Sequence, residues 1–186
     1  YLGVDCFYMP RTSYRGDVPV ISFPYMHVCS SVKCGRIFDV RDNFDLDRYL
    51  RFGVTCPSCH KQAYPSRFIT ICEDGHMNDF PWRWWAHNGN TTCTGTLRMY
   101  STGNTSTLAD MWVECSCGAK RSMSGATQRE NFEGMTCSGH HPFRPAHRND
   151  NCRKPMIPSQ RGASNVYFAV TRSAISIPPW INPLYN

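Results

Sequence analysis

Apolar and polar residues alternate in short runs along this chain, a pattern that predicts strands with few and short helices. "VPVISFPYMHV" (residues 18–28) alternates loosely around Pro19 and Pro24 and reads as an edge strand or an extended lead-in. "CTGTLRMY" (93–100) and "LADMWVEC" (108–115) read as strands separated by the Ser/Thr/Gly/Asn loop that begins at Ser101. "SNVYFAVTRSAISI" (164–177) is rich in β-branched residues and is closed by Pro178 and Pro179, so it predicts a further strand. The helical period appears in "FPWRWWAH" (80–87), where Trp82, Trp85 and Ala86 fall on one face and Trp84 points away from it. Asp79 is placed as an N-cap for this helix, Pro81 lies in its first turn and Gly89 marks its end. Residues 121–136 predict a second short helix stopped by Gly134.

Composition changes this picture. The chain has 186 residues with 13 Gly, 13 Pro and 11 Cys. An odd number of cysteines cannot all pair, and no signal-like apolar run precedes the first of them. Clustered thiols in a reducing, cytoplasmic setting point to metal. No run approaches the roughly 20 apolar residues a membrane span requires. The sequence begins at Tyr1 and ends in "SIPPWINPLYN", and we read it as part of a longer protein.

The firmest spacing is Cys29-x4-Cys34 followed by Cys56-x2-Cys59, in "CSSVKCG" and "CPSCH". Two close thiol pairs at ribbon spacing make a closed tetrahedral zinc site, with Gly35 and Pro57 suited to the tight turns. A second group consists of Cys115-x-Cys117, Cys137 and Cys152, with His140 and His141 as rival ligands. A third combines Cys72-x3-His76 with His87 and Cys93. Here the predicted helix raises a difficulty, because it carries His87 about 12 Å along its axis from Asp79. Cys6 is left over as a small core residue. The cofactor is Zn2+, two to three structural ions, each linked to about 10–16 kcal/mol of apparent binding free energy. Knuckles in series take the place of one continuous core.

The fold class is mostly β and irregular with a few short helices and several zinc-ribbon-like knuckles, a small α+β arrangement. Residues 1–62 form a lead-in strand with a zinc-ribbon module. Residues 63–155 form a second zinc-binding region with the Trp-rich helix, and residues 156–186 a strand segment leading into the rest of a longer protein.

Several function classes find little support. "CEDGHMND" offers Cys72 as nucleophile, His76 as base and Asp79 as orienter, but proximity in sequence does not make a triad. The chain has no HExxH pattern, no phosphate-cradling Gly-rich Lys loop, no helicase Asp-Glu box and no aromatic RNA-binding pattern. The net charge of +6 comes from scattered residues and permits contact with nucleic acid without demonstrating it. "QRGASNVYF" (160–168) reads either as a phosphate-contacting loop or as a glycine turn entering a core strand.

Three stretches together, "RFITICEDGHMNDFPWRWWAH", "CSCGA" and "QRGASNVYFAVTRSAISIPPW", resemble the DrmB family, the helicase-associated component of the bacterial DISARM anti-phage defence system. The resemblance runs from "LGVDCF" to "SIPPW" and departs from the family pattern at Asn78 and Ala169. It implies a non-catalytic subunit that scaffolds a DrmA-type helicase carrying the ATPase activity, with DNA as a further contact and no membrane. Two other readings stay open: a zinc-ribbon nucleic-acid-binding module, and a zinc-dependent hydrolase or nuclease with an open coordination position.

Overall fold

Short strands linked by tight turns build two antiparallel sheets. The computed structural model describes residues 21–43, 45–103, 107–144 and 148–166. The larger sheet contains β1 (Met26–Cys29), β2 (Arg36–Asp39), β3 (Ala63–Pro65), β6 (Leu97–Ser101), β7 (Met111–Cys115) and β8 (Lys120–Ser122), in the order β3-β1-β2-β6-β7-β8. The smaller contains β4 (Phe68–Ile71), β5 (Met77–Asp79) and β9 (Ile157–Gln160), in the order β5-β4-β9. Among the described residues, two short helices, α1 (Leu46–Phe52) and α2 (Trp82–Ala86), and three 3-10 turns complete the regular structure. The mostly-β, irregular class expected from the alternation is the class observed. Among the described residues no helix is long and apolar enough to cross a membrane.

The strands "CTGTLRMY" and "LADMWVEC" predict are β6 and β7, paired from Leu97↔Cys115 to Ser101↔Met111. β1 is not an edge strand. It lies between β3 and β2, and Pro24 precedes it, so the missing proline N–H removes no ladder bond. Residues 121–136 form turns and one 3-10 segment, Arg129–Phe132, in place of the expected helix, and Gly134 turns the chain at φ 82°. α1 was not expected, although its signals are ordinary: Asp45 Oδ1 accepts from Arg48 N at 3.0 Å, and Gly53 closes the helix with its N–H on Tyr49 O. Most of the strand expected over 164–177, together with Cys6, lies outside the described residues.

α2 buries Trp82, Trp85 and Ala86 as its spacing predicts, but its start is different. Asp79 is the last residue of β5 rather than a helix cap, and its Oδ1 accepts from Met26 N of β1 at 2.8 Å. The sheet claimed this carboxylate, and Pro81 takes the N-cap position without a side-chain hydrogen bond. The helix also ends sooner than expected, leaving His87 as its C-cap.

A shared core is present where the sequence suggested knuckles in series. Phe68, Phe80, Trp82, Trp85 and Phe132 pack together beneath Ile37, Leu97 and Val113 of the larger sheet. Phe132 stacks on Trp85 at a centroid distance of 5.4 Å and on Trp84 at 5.5 Å. Trp85 is fully buried, its indole N–H donates to Ser122 O at 3.2 Å, and the Arg121 guanidinium lies 3.7 Å from its ring centroid. Burial of each such ring contributes roughly 1.5–3 kcal/mol or more. The periodicity of 80–87 marked half of this core; its other half comes from strands and a turn distant in sequence.

Candidate metal centres

Every described cysteine is a free thiol, and with two histidines they gather into three groups of four whose ligand atoms lie within 4.8 Å of one another. The turns of the hairpins position them. In the first group, Cys29 ends β1 and Cys34 lies in the turn before β2, while Cys56 and Cys59 occupy the loop before β3, which pairs with β1. Cys29 Sγ stands 3.3 Å from Cys59 Sγ, and Cys34 Sγ 3.7 Å from Cys56 Sγ. Gly35 is required here: it has φ 56°, and a Cβ would overlap the carbonyl of Met99 in β6, whose N–H bonds back to Gly35 O at 2.7 Å.

The other two groups contain the expected residues in a different partition. Cys115 and Cys117 were grouped with Cys137 and Cys152; the structure instead brings them to His87 and Cys93. Register explains this. Leu97 pairs with Cys115 and Ser116 N bonds to Thr96 O, so the chain entering β6 carries Cys93 alongside the "CSCGA" turn, with Cys93 and Cys115 sulfurs 3.6 Å apart. The early end of α2 lets His87 turn toward them, its Nε2 at 3.3 Å from Cys117 Sγ. The last group is Cys72, His76, Cys137 and Cys152, all buried. Cys72 and His76 flank the β4–β5 turn, with His76 Nδ1 at 3.2 Å and Cys152 Sγ at 4.0 Å from Cys72 Sγ. Cys137 and Cys152 approach because Thr136 bridges Pro155 and Cys137 N bonds to Lys154 O. His140 lies outside the ligand groups; its ring faces Asn149 and its carbonyl accepts from Met77 N. His141 lies behind His76 rather than among the thiols.

These separations fit zinc. Bonds of about 2.3 Å to sulfur and 2.0–2.1 Å to nitrogen around a tetrahedral ion place sulfurs about 3.8 Å apart and sulfur and nitrogen about 3.5 Å apart. The backbone supports the charge such ligands carry. The amide two residues after a cysteine points at its sulfur: Ser31 to Cys29 and Ser58 to Cys56 at 3.4 Å, Gly95 to Cys93 and Gly139 to Cys137 at 3.3 Å. The amide of Lys61 lowers the Cys59 thiol to about 7 and that of Ala119 lowers Cys117 to about 6, whereas burial pushes Cys29 and Cys137 up to about 12. Four thiolates packed this closely would repel one another without a cation between them.

Both histidines have their second nitrogen occupied. His87 Nδ1 lies 2.7 Å from Arg83 O, and this carbonyl raises the His87 pKa. His76 Nε2 lies 3.0 Å from Asp150 Oδ2, and the carboxylate raises the His76 pKa. Sequence reasoning missed Asp150; its position two residues before Cys152 was the available signal.

The geometry defines a class: a two-sheet domain whose hairpin turns present Cys and His in closed groups of four. The chain belongs to the domain-of-unknown-function family DUF8724, which matches residues 1–168. It is also similar to the DISARM protein DrmB of Bacillus paralicheniformis, 52% identical over 171 residues, which are 91% of this chain and 30% of that protein. The chain therefore spans under a third of that relative's length. The match bears out the resemblance read from the motifs.

Proposed function

We propose that this region is a zinc-stiffened, non-catalytic scaffold within a DISARM-type anti-phage component, and that it presents a rigid surface to a partner helicase that carries the ATPase activity. The observation that carries this reading is the sorting of twelve Cys and His side chains into three four-ligand groups. Each ion then has all its positions filled by protein, as in structural zinc sites, whereas catalytic zinc keeps one open. In this reading Cys29, Cys34, Cys56 and Cys59 hold one ion, Cys72, His76, Cys137 and Cys152 a second, and His87, Cys93, Cys115 and Cys117 a third. The similarity to DrmB supports the defence setting, and free thiols suit a cytoplasmic protein. The basic excess makes DNA a secondary contact of the assembled complex.

One feature favours the hydrolase reading: His76, His141 and Asp150 form a three-ligand group of their own. Asp150 Oδ2 lies 2.8 Å from His141 Nε2 and 3.0 Å from His76 Nε2, which is hydrogen-bond geometry that needs no ion. The scaffold reading is preferred for that reason. Its test is zinc content and partner retention in the full protein. Three zinc ions per chain are expected, and loss of zinc through Cys56→Ser should release a co-expressed partner helicase. A chain with fewer ions that still retains the helicase, or one that hydrolyses DNA by itself, overturns the scaffold reading.

A further inference from the structure

We infer that Asp150 is the positioning residue of the buried Cys72/His76/Cys137/Cys152 centre: its carboxylate accepts the His76 Nε2 proton and so turns the bare Nδ1 toward the three thiols. This rests on reading those four residues as zinc ligands.

An imidazole in a metal site must present one nitrogen without a proton, and the hydrogen bond made by the other nitrogen decides which one it is. His76 gives its Nδ1 to the cluster, 3.2 Å from Cys72 Sγ, and its Nε2 to Asp150 Oδ2 at 3.0 Å. The ring is buried, 4% exposed at its side chain, whereas Asp150 is 47% exposed. The carboxylate thus sits at the boundary between solvent and the centre and still reaches inward. Its negative charge makes the opposite nitrogen a better donor to a cation than a neutral acceptor would.

Three further contacts hold Asp150 in place. His141 Nε2 meets the same Oδ2 at 2.8 Å, so the oxygen is fixed from two sides. Asp150 N donates to Gly139 O at 2.9 Å, and Asp150 O accepts from the N–H of Cys152, a residue of the same centre, at 2.8 Å. Gly139 has φ 71°, and a Cβ there would overlap the Asp150 carbonyl, so the Cys137 knuckle and the Asp150 backbone meet in direct contact. Two cysteines of the centre and the orienting carboxylate therefore lie on backbones in direct contact.

The test uses the full, zinc-loaded protein challenged with a graded chelator, with Asp150→Ala, Asp150→Asn and Gly139→Ala beside the unmodified chain. Asp150→Ala should release one zinc equivalent about 10–100-fold more readily and leave the other two unchanged. Asp150→Asn keeps an oxygen that accepts from Nε2–H and should recover most of that loss. Gly139→Ala, which displaces Asp150 without removing it, should fall with Asp150→Ala. After Co2+ substitution the ligand-field bands of this centre should stay tetrahedral in Asp150→Asn and shift in Asp150→Ala. Equal release by Asp150→Ala and the unmodified chain overturns the inference while leaving the zinc reading intact. Binding of four ions by the unmodified chain, falling to three in Asp150→Ala, also overturns it, since the carboxylate would then be a ligand. An unmodified chain with no ion at this centre removes the zinc reading and the inference with it.

Discussion

The two Cys3His groups have the same donor set and opposite surroundings. At the His76 group all four ligands are buried, and Cys72, Cys137 and Cys152 pack with Met156 in a small apolar cluster. At the His87 group Cys115 is buried, His87 and Cys93 are partly buried and Cys117 is exposed. The first histidine faces its thiols with Nδ1 and is backed by a carboxylate; the second uses Nε2 and is backed by a helix carbonyl. The difference follows from what each group ties together. The His87 group closes the end of a sheet already fixed by the β6–β7 ladder and the Trp85 core, whereas the His76 group joins the β4–β5 hairpin to residues 133–144 and 148–156, which carry no helix or strand of their own. On the scaffold reading proposed above, zinc would be a closure in one region and the principal fastening in the other.

Removing a ligand from each side tests this comparison most severely. Cys137→Ser should cost the most, on the order of several kcal/mol out of the roughly 10–16 kcal/mol linked to one ion, and should leave residues 133–156 open to protease. Cys117→Ser should also lose one zinc equivalent, yet leave thermal unfolding of the larger sheet nearly where it was. Zinc content, melting temperature and limited proteolysis, measured side by side, check this. Equal destabilisation by the two variants would dissolve the distinction between closure and fastening.

Trp85→Ala comes next, at about 3–5 kcal/mol, because it empties the core beneath the larger sheet and leaves Arg121 without its aromatic partner. Its effect should be read at all three centres by zinc release on heating. The His87 group should lose its ion at lower temperature than in the unmodified chain, since α2 carries His87, while the His76 group follows less closely.

A smaller, kinetic effect should order the release of ions under oxidant. A zinc-bound thiolate is oxidised where the oxidant can reach it, and Cys117 is the exposed member of its group. Peroxide should therefore free zinc first from the His87 group, as a fast phase seen with a chromogenic chelator and missing in Cys117→Ser. A first phase that persists in that variant would place the vulnerable thiol elsewhere.

These contrasts also show what the sequence made legible. The grouped Cys and His residues announced themselves by type and by local spacing, because a knuckle is a local turn, and "CSSVKCG" with "CPSCH" even indicated which residues would gather together. The pairing of the remaining half-sites was not local. It depends on the Leu97↔Cys115 register and the Thr136↔Pro155 bridge, and no spacing in the chain encodes either. Asp79 was misplaced for a related reason. As the first polar residue before a helical stretch it fits the cap pattern, but the claim of Met26 N across the sheet prevailed. The Trp82/Trp85/Ala86 face was readable because helical period reports burial whichever partner covers it.

Asp79 yields the finest test, because it sits between the two regions, ending the hairpin that bears His76 and preceding the helix that ends in His87. Its bond to Met26 N ties the smaller sheet to the larger. Burial raises its pKa, with the amide of Met26 opposing the shift. Raised in the folded state, the group favours folding most when protonated, and its contribution is lost as pH rises through the folded pKa. Asp79→Asn keeps an oxygen for Met26 N–H without the buried charge. It should match the unmodified chain in acid and be slightly the more stable, by up to about 1 kcal/mol, once the pH exceeds that folded pKa. Asp79→Ala leaves the Met26 N–H without its acceptor and should cost about 1–3 kcal/mol in acid, and less once the pH exceeds the folded pKa, where the unmodified chain has lost its own contribution. Denaturant unfolding at acid and neutral pH separates the two. If Asp79→Asn were the less stable at neutral pH, the charge itself would be holding the sheets together through Arg41, and the two regions would be joined by an ion pair rather than by a backbone hydrogen bond.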